Sequence, residues 1–176
     1  MTMNLKLSTY ISEEQIQKKV QELGDQLTKK FKNTEIVAIC VLKGSFVFYS
    51  DLIRAIQTDV HCEFFGVSSY SGTSSSGQVK VTLDLAHSVE GKHVILVEDI
   101  IDTGLTMNYL KSNIMARKPK SLTTIALLEK PDALKVPCEI DMVGFKIPND
   151  FVVGYGLDYD GYYRNLPYIA QVQNFQ

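Results

Sequence analysis

Three carboxylates lie immediately before a turn that contains glycine. Glu98, Asp99 and Asp102 fall within five consecutive positions, and the turn TGLT follows at 103–106. A glycine in a strand-to-helix turn lets backbone amides approach a ligand, and the N-terminus of a helix favours an anion. The spacing therefore predicts a phosphate site directly beside three negative side chains.

Electrostatics restricts what these carboxylates can face. A bare carboxylate about 4 Å from a phosphate is opposed by roughly 4 kcal/mol at an effective dielectric near 20. Glu98 and Asp99 become favourable if they accept hydrogen bonds from sugar hydroxyls, or if a divalent cation lies between the charges. We therefore expect a phosphorylated sugar whose hydroxyls meet these two residues, with Mg²⁺ assisting, while Asp102 remains available for acid–base chemistry.

Three other interpretations share parts of this pattern. Asp-Thr-Gly at 102–104 is also an aspartic-protease signature, but that class needs an all-β setting and a helical stripe follows here. Paired acids at a strand end are also typical of a response-regulator phospho-acceptor pocket, which leaves the Thr-Gly-x-Thr turn unexplained. In a third interpretation the acids have no role other than to cap the next helix. Three carboxylates and this turn are more than such a cap requires.

The surrounding segments alternate between apolar strands and amphipathic helices. Ser12 and Gln15 form a capping box that opens a helical stripe ending near 32–33, a second helix is expected at about 45–56, and a third carries Met107. This alternation predicts a parallel α/β sheet with its ligand at the carboxyl ends of the strands. The predicted strands are 35–42, 60–67, 93–98, 122–129, and a fifth region in 141–147 and 151–156. In the third strand, 94–97 is the buried part, and the acids follow where the strand emerges.

The segment SSYSGTSSSGQ at 68–78 is rich in Ser and Gly. Its composition alone is typical of a disordered connector. However, one domain accounts for the whole length, and long loops inside compact domains are often active-site lids. A lid is the better prediction once a site is found nearby.

Composition and charge restrict the class of protein. The chain has 176 residues, 45% of them apolar, and a net charge of −2, which gives no electrostatic reason to expect binding to nucleic acid or to an anionic membrane. The longest core-like run, 36–42, is far too short to span a bilayer. Three widely spaced cysteines indicate neither a disulfide framework nor a zinc site, so we expect a cytoplasmic protein with reduced thiols.

The stretch VILVEDIIDTGLTM at 94–107 resembles the phosphoribosyl pyrophosphate signature of type I phosphoribosyltransferases. Four more segments, in order along the chain, narrow the resemblance to the hypoxanthine-guanine branch: LKGS at 42–45, Ser69-Tyr70, LLEKP at 127–131, and VGFKIPNDFVVGYGLDYDGYYRNLPYI at 143–169. The resemblance implies one domain over 1–176, with a mostly parallel twisted sheet flanked by helices. It further implies a core at about 35–145, a hood from the terminal segments and a flexible loop at about 68–79.

The implied reaction is purine salvage. A phosphoribosyl group passes from 5-phosphoribosyl 1-pyrophosphate to hypoxanthine, and to guanine, in a Mg²⁺-dependent step that releases pyrophosphate. By similarity, Glu98 and Asp99 hold the ribose hydroxyls and organise Mg²⁺. Asp102 is the general base that exchanges a proton with the purine, or else only positions the purine. The 5′-phosphate is cradled by Thr103, Gly104, Leu105 and Thr106.

The resemblance also assigns residues that would look ordinary in isolation. For pyrophosphate these are Lys43, Gly44 and Arg164. The Leu42–Lys43 step resembles one that has a cis peptide bond in the family. For the purine they are Lys130, which selects a 6-oxo group, Phe151, which stacks on the base, and Val152, which offers its backbone. Asp158 is assigned both to the purine site and to a second Mg²⁺, which it holds through water, and Ser69 and Tyr70 open the lid.

Two positions depart from many relatives. Leu105 stands where some carry Lys, which removes a cationic contact with pyrophosphate but keeps the backbone cradle. Ser45 stands where many carry a second Gly. The histidines at 61, 87 and 93 match no catalytic position, and VHCEF is better interpreted as a strand than as a metal site.

The alternative function is a regulator that senses a nucleotide on the same fold and binds RNA. The balanced charge argues against it. As partners we expect the two small-molecule substrates, no nucleic acid and no membrane, and the resemblance implies a homodimer or homotetramer.

Overall fold

The computed structural model describes residues 5–69 and 79–173, in which strands and helices alternate. The helices are α1 (Glu13–Lys30), α2 (Phe46–Ala55) and α3 (Leu105–Met115). The strands are β1 (Lys6–Ile11), β2 (Ile36–Leu42), β3 (Val60–Ser69), β4 (Val79–Leu83), β5 (His93–Ile101), β6 (Ser121–Glu129), β7 (Met142–Lys146), β8 (Val152–Val153) and β9 (Ile169–Gln173).

Six strands form the main sheet, in the order β4-β3-β2-β5-β6-β7. All neighbouring pairs are parallel except β3 and β4, which are antiparallel. The predicted mostly parallel α/β sheet is confirmed. Because β2, β5 and β6 are adjacent and parallel, the residues that follow them meet at one edge of the sheet.

Alternate residues of the central strands face two separate cores. On one face Ala38 and Cys40 of β2 pack with α1 and α2, whereas on the other Val37 and Ile39 pack with α3. Central parallel strands are covered on both faces, which explains their continuously apolar sequences. This double covering fixes the carboxyl ends of β2 and β5 against each other.

The capping box at the start of α1 is confirmed. The Gln15 amide donates to Ser12 Oγ at 3.3 Å, and the Ser12 amide donates to Gln15 Oε1 at 2.8 Å. Together they satisfy two of the amides that a helix start leaves without partners.

A second sheet joins the two ends of the chain. Its order is β1-β9-β8, with β9 antiparallel to both neighbours. Sequence patterns found neither β1 nor β9. They also merged β7 and β8 into one region, although β7 belongs to the main sheet and β8 to the second.

The predicted end of β5 is wrong. The strand was predicted at 93–98, with its buried part ending at Val97, but it continues to Ile101, so both Glu98 and Asp99 lie inside it. The backbone stays paired because β6 runs alongside, with Ile101 opposite Glu129. The carboxylates are therefore held by the sheet and not by a loop.

The predicted loop at 68–79 is also too long at both ends. β3 extends through Ser69, and β4 begins at Val79, which pairs with Ser69. The rest of that segment, including Tyr70, lies outside the described residues.

The three cysteines are free, with Cys40 and Cys138 buried and Cys62 exposed. Within residues 5–69 and 79–173, none of the helices has the length and apolar character needed to cross a membrane.

Candidate active site

The sequence-predicted residues meet where β2, β5 and β6 end. Lys43 and Gly44 follow β2, Asp102 follows β5, and Lys130 follows β6. The Lys130 amide donates to Ile101 O at 2.9 Å, which sets Lys130 beside Asp102. Lys130 is buried, whereas Asp102 is exposed.

The turn after β5 leads directly into α3. Gly104 is the N-cap, with φ of +81°, and a Cβ there would lie 2.9 Å from the Cβ of Cys138. Both the left-handed backbone and the lack of space therefore require glycine. The first amide bonded within the helix is that of Asn108, which donates to Gly104 O at 3.1 Å. The amides of Thr106 and Met107 come before it and form the positive end of the helix.

A narrow cavity of about 70 Å³ opens at this helix start. Thr103 is held on one side, because the Lys135 amide donates to Thr103 O at 3.0 Å. Leu105 is 39% exposed, next to the buried Gly104. The cavity is lined by Glu98, Ile100, Ile101, Asp102, Thr103, Gly104, Thr106 and Met107.

Two adjacent carboxylates share the end of β5. Glu98 is only 7% exposed, while Asp99 is half-buried and accepts from the Ile100 amide at 2.9 Å. Burial raises the pKa of Glu98 well above its ordinary value, and the charge of Asp99 raises it further. Burial also raises the pKa of Asp99, although contacts with Glu98 and the backbone, and the charge of Arg164, oppose that rise.

Gly44 lies between Asp99 and another backbone segment. A Cβ on Gly44 would stand 1.7 Å from Asp99 Oδ2, and a Cβ on Gly156 would stand 2.2 Å from Gly44 O. The peptide bond between Leu42 and Lys43 is cis, as the resemblance implies. The Lys43 side chain is exposed beside this turn.

Arg164 is fixed by two partners on its own loop. Its Nη1 donates to Gly156 O at 2.6 Å, and its Nη2 pairs with Asp158 Oδ1 at 2.7 Å. The other oxygen of Asp158 accepts from the Gly161 amide at 2.7 Å. Gly156 packs on Gly44, and Gly44 contacts Asp99. The loop therefore places the positive charge of Arg164 near the carboxylate of Asp99.

The predicted purine-binding residues come from two sheets. Ile147 N donates to Glu129 O at 2.9 Å, so the connection towards Phe151 begins beside Lys130. The rings of Phe151 and Tyr159 are perpendicular, with centroids 5.9 Å apart. These contacts direct the second sheet towards the end of β6.

The backbone of Val152 has a free direction for hydrogen bonding. Phe151 O accepts from the Val172 amide at 3.0 Å, and β8 is an edge strand that pairs only with β9 in the described sheets. Bonded and non-bonded positions alternate along an antiparallel pair. The amide and carbonyl of Val152 therefore point away from β9, towards the open edge.

Sequence reasoning missed two residues that shape the site. Lys135 clamps Thr103 through its backbone, which no side-chain pattern could reveal. Gly156 allows the loop to reach Gly44, and the GYG sequence at 154–156 is a weak signal for such a close approach. Of the predicted lid, Ser69 ends β3, while Tyr70 lies outside the described residues.

Comparison with known proteins defines the class. The family of phosphoribosyl transferase domains matches residues 8–160, and this sheet with its strand-end site makes the chain a type I phosphoribosyltransferase. The hypoxanthine-guanine phosphoribosyltransferase of Bacillus subtilis (strain 168) is 52% identical over 161 residues, 91% of this chain and 89% of that protein. The chain belongs to the hypoxanthine-guanine phosphoribosyltransferase family.

Solved structures agree with this assignment. A hypoxanthine-guanine phosphoribosyltransferase from Bacillus anthracis, with HEPES in its active site, superposes with a TM-score of 0.91 at 50% identity and covers 97% of this chain and 100% of that chain. A hypoxanthine phosphoribosyltransferase from Trypanosoma cruzi, in complex with the product IMP, superposes with a TM-score of 0.90 at 42% identity. That match covers 99% of this chain and 97% of the other.

Proposed function

We propose that this enzyme transfers the phosphoribosyl group of 5-phosphoribosyl 1-pyrophosphate to hypoxanthine and guanine, forming IMP and GMP and releasing pyrophosphate. The observation that carries the proposal is the juxtaposition at the end of β5. A buried carboxylate, a half-buried carboxylate, an exposed carboxylate and a helix N-terminus follow one another there within 98–106. A sugar phosphate with a leaving group matches this order of charges.

The 5′-phosphate is bound by the turn 103–106. The amides at the start of α3 and the hydroxyls of Thr103 and Thr106 donate to the phosphate oxygens. The first turn of α3 contains no acidic residue, so the helix end stays favourable to an anion. Leu105 contributes its backbone alone.

Glu98 and Asp99 bind the ribose hydroxyls and Mg²⁺. Their oxygen donors are the type that Mg²⁺ prefers, and a cation relieves the mutual repulsion and burial that raise both pKa values. When bound, Mg²⁺ neutralises charge on the pyrophosphate leaving group. Asp158 is a third candidate ligand, through water, although one of its oxygens already meets Arg164.

Asp102 acts on the purine. It is exposed at the strand end beside Lys130, where a base held over the ribose would lie. A carboxylate in that position accepts the proton that the ring nitrogen loses as the new glycosidic bond forms. Such a group typically contributes about 10²–10⁴-fold to the rate.

Lys130 selects the base. A buried ammonium donates to the exocyclic oxygen of a 6-oxopurine, and it cannot be satisfied by the amino group of adenine. Phe151 stacks on the ring, and the backbone of Val152 offers one donor and one acceptor along the open edge of β8. These contacts fix the ring nitrogen that attacks.

Pyrophosphate is bound on the other side of the ribose. Lys43, the backbone of Gly44 and Arg164 supply its donors, and the Gly156–Gly44 contact supports their proximity. Ser69 and Tyr70 begin a lid that excludes water, which would otherwise hydrolyse the activated sugar. The three free cysteines fit a reducing compartment such as the cytoplasm.

The proposal is tested by turnover with a panel of bases. Purified protein is assayed with phosphoribosyl pyrophosphate and hypoxanthine, guanine, xanthine, adenine or uracil, with Mg²⁺ or with a chelator. We expect Mg²⁺-dependent turnover with hypoxanthine and guanine. Turnover only with uracil, or with none of the bases, would reject the proposal, and salt-dependent RNA binding without transfer would favour the regulator instead.

A further inference from the structure

Three potential metal ligands meet at the start of β3, among residues that the transfer reaction does not use. His61 Nε2 lies 3.2 Å from Glu63 Oε1, and His87 Nδ1 lies 2.6 Å from the same oxygen. The ligand atoms of the three residues all lie within 4.8 Å of one another. The two imidazole rings are perpendicular, with centroids 5.1 Å apart.

The fold builds this cluster from two separate segments. His61 and Glu63 are two positions apart on β3, so their side chains share one face of the strand. His87 follows β4 and is brought over by its neighbour, because the Ala86 amide donates to Glu63 Oε2 at 3.1 Å. The sequence around VHCEF favours only a strand, since the third ligand comes from a distant position.

Burial differs among the three ligands in a way that suits a metal site. The Glu63 side chain is 5% exposed and both of its oxygens are engaged, so the carboxylate is rigidly held. His61 and His87 are 38% and 64% exposed, which leaves an open side for an entering ion. One negative charge and two neutral imidazoles make a favourable site for a divalent cation.

The distances fit a small transition metal. Zn²⁺ binds histidine nitrogen and carboxylate oxygen at about 2.0–2.2 Å, so neighbouring ligands of a tetrahedral site are roughly 3.4 Å apart. The His61–Glu63 separation of 3.2 Å is already close to this value. The His87–Glu63 separation must open by less than about 1 Å, which an exposed side chain permits.

We propose that His61, Glu63 and His87 form a binding site for a divalent transition metal such as Zn²⁺, with water completing the coordination. Because the ligand is a neutral imidazole, binding through His87 Nδ1 moves the proton between His87 Nδ1 and Glu63 Oε1 to Nε2 of the same ring. The Ala86 amide then holds the second oxygen of Glu63 as an outer-shell partner. Two nitrogen ligands make the site unsuited to Mg²⁺, which separates it from the carboxylates of β5.

Such an ion would link the start of β3 to the segment that follows β4. His61 and Glu63 lie on β3, His87 lies just after β4, and residues 70–78 connect the two strands. A ligand that binds only the folded chain stabilises it by mass action. Zn²⁺ therefore raises the midpoint of thermal unfolding of the full chain.

The test is a calorimetric titration of the full chain with Zn²⁺, with Mg²⁺ in excess to occupy the β5 carboxylates. We expect one saturable Zn²⁺ per chain, and affinity weakened at least about tenfold in His61→Ala and in His87→Ala. His93→Gln and Cys62→Ser are the controls, because they remove the remaining histidine and the exposed thiol. Both controls should bind as the wild type does.

A second measurement needs no variant and so does not depend on how variants fold. Zn²⁺ should shift the ring resonances of His61 and His87 in the wild-type spectrum, and leave those of His93 in place. The proposal is overturned if saturable binding is missing in the micromolar range, if His61→Ala and His87→Ala bind as tightly as the wild type, or if the shifts fall on His93.

Discussion

The carboxylate of Asp99 occupies the space that a side chain on residue 44 would need. A Cβ on Gly44 would stand 1.7 Å from Asp99 Oδ2, well inside van der Waals contact. The backbone of Gly44 after β2 and the side chain of Asp99 at the end of β5 are therefore packed directly against each other. In the proposed reaction, this contact joins the pyrophosphate-binding backbone to the carboxylate that holds the ribose.

Gly44→Ala is expected to lower kcat/KM by at least about 100-fold, because Asp99 must move by an ångström or more. The measurement is steady-state kinetics with hypoxanthine. The control is Gly91→Ala, where φ of +70° imposes strain but nothing lies within 4 Å of the new Cβ. Gly91→Ala should lose stability and keep its kcat/KM. A Gly44→Ala enzyme of normal activity would contradict the account.

Asp102→Asn is expected to lower kcat by about 10²–10⁴-fold while the substrates still bind, because the amide cannot accept the purine proton. Single-turnover kinetics and substrate binding are measured together. Asp132→Asn, another exposed aspartate at this end of the sheet, is the control and should be unchanged. Near-normal turnover in Asp102→Asn would leave Asp102 with a positioning role only.

Glu98→Gln is expected to abolish most activity and yet to stabilise the fold by on the order of 1–3 kcal/mol, because it removes a buried charge. Since the pKa of Glu98 is raised in the folded state, the folded chain holds its proton more tightly than the unfolded chain. Stability is therefore full at low pH, and it falls as pH rises from the ordinary carboxyl value through the raised pKa. Thermal unfolding in chelator-containing buffer should show that fall in the wild type and a smaller fall in Glu98→Gln, where only Asp99 of the pair keeps a raised pKa.

Glu63→Gln is the matched control, since Glu63 is also a buried glutamate of the main sheet. Burial alone would raise the pKa of Glu63, but hydrogen bonds from His87, Ala86 and His61 outweigh it and lower the pKa. Glu63 therefore stabilises the fold at pH values above the ordinary pKa of a carboxyl group, and this stabilisation is lost as pH falls. Glu63→Gln should destabilise the fold at neutral pH, and equal effects of the two substitutions would refute the contrast.

Lys130→Ala is expected to lower kcat/KM for hypoxanthine by about 10–100-fold, the value of a charged hydrogen bond. It should also narrow the preference for hypoxanthine over adenine. Kinetics with both bases measure the ratio, and Lys135→Ala, with an exposed side chain five positions on, is the control. An unchanged ratio would exclude Lys130 from selecting the base.

Local signals in the sequence predicted much of this fold. The capping box at Ser12 and the apolar stripe of α3 depend on residues a few positions apart, so the sequence pattern predicts them. The end of β5 was predicted wrongly because Asp99 looks like a loop residue. The strand continues because β6 pairs with it on both sides of Asp99, at Glu98 and at Ile100.

The contacts between distant segments could not be predicted from spacing. β1 pairs with β9 across almost the whole chain, and the Gly44–Asp99 contact depends on the register of β2 against β5. His87 reaches Glu63 only through the return of β4. The carboxylates and the phosphate turn were predicted from spacing, and residues such as Lys130 and Arg164 by resemblance, whereas their mutual geometry required the structure.

The central claim is tested most directly by counting both products of one reaction. The wild-type chain is incubated with phosphoribosyl pyrophosphate, hypoxanthine and Mg²⁺, and IMP and pyrophosphate are quantified over time. The account predicts equal amounts of the two, and no pyrophosphate release faster than IMP formation. Pyrophosphate release without IMP, or no reaction at all, would contradict it.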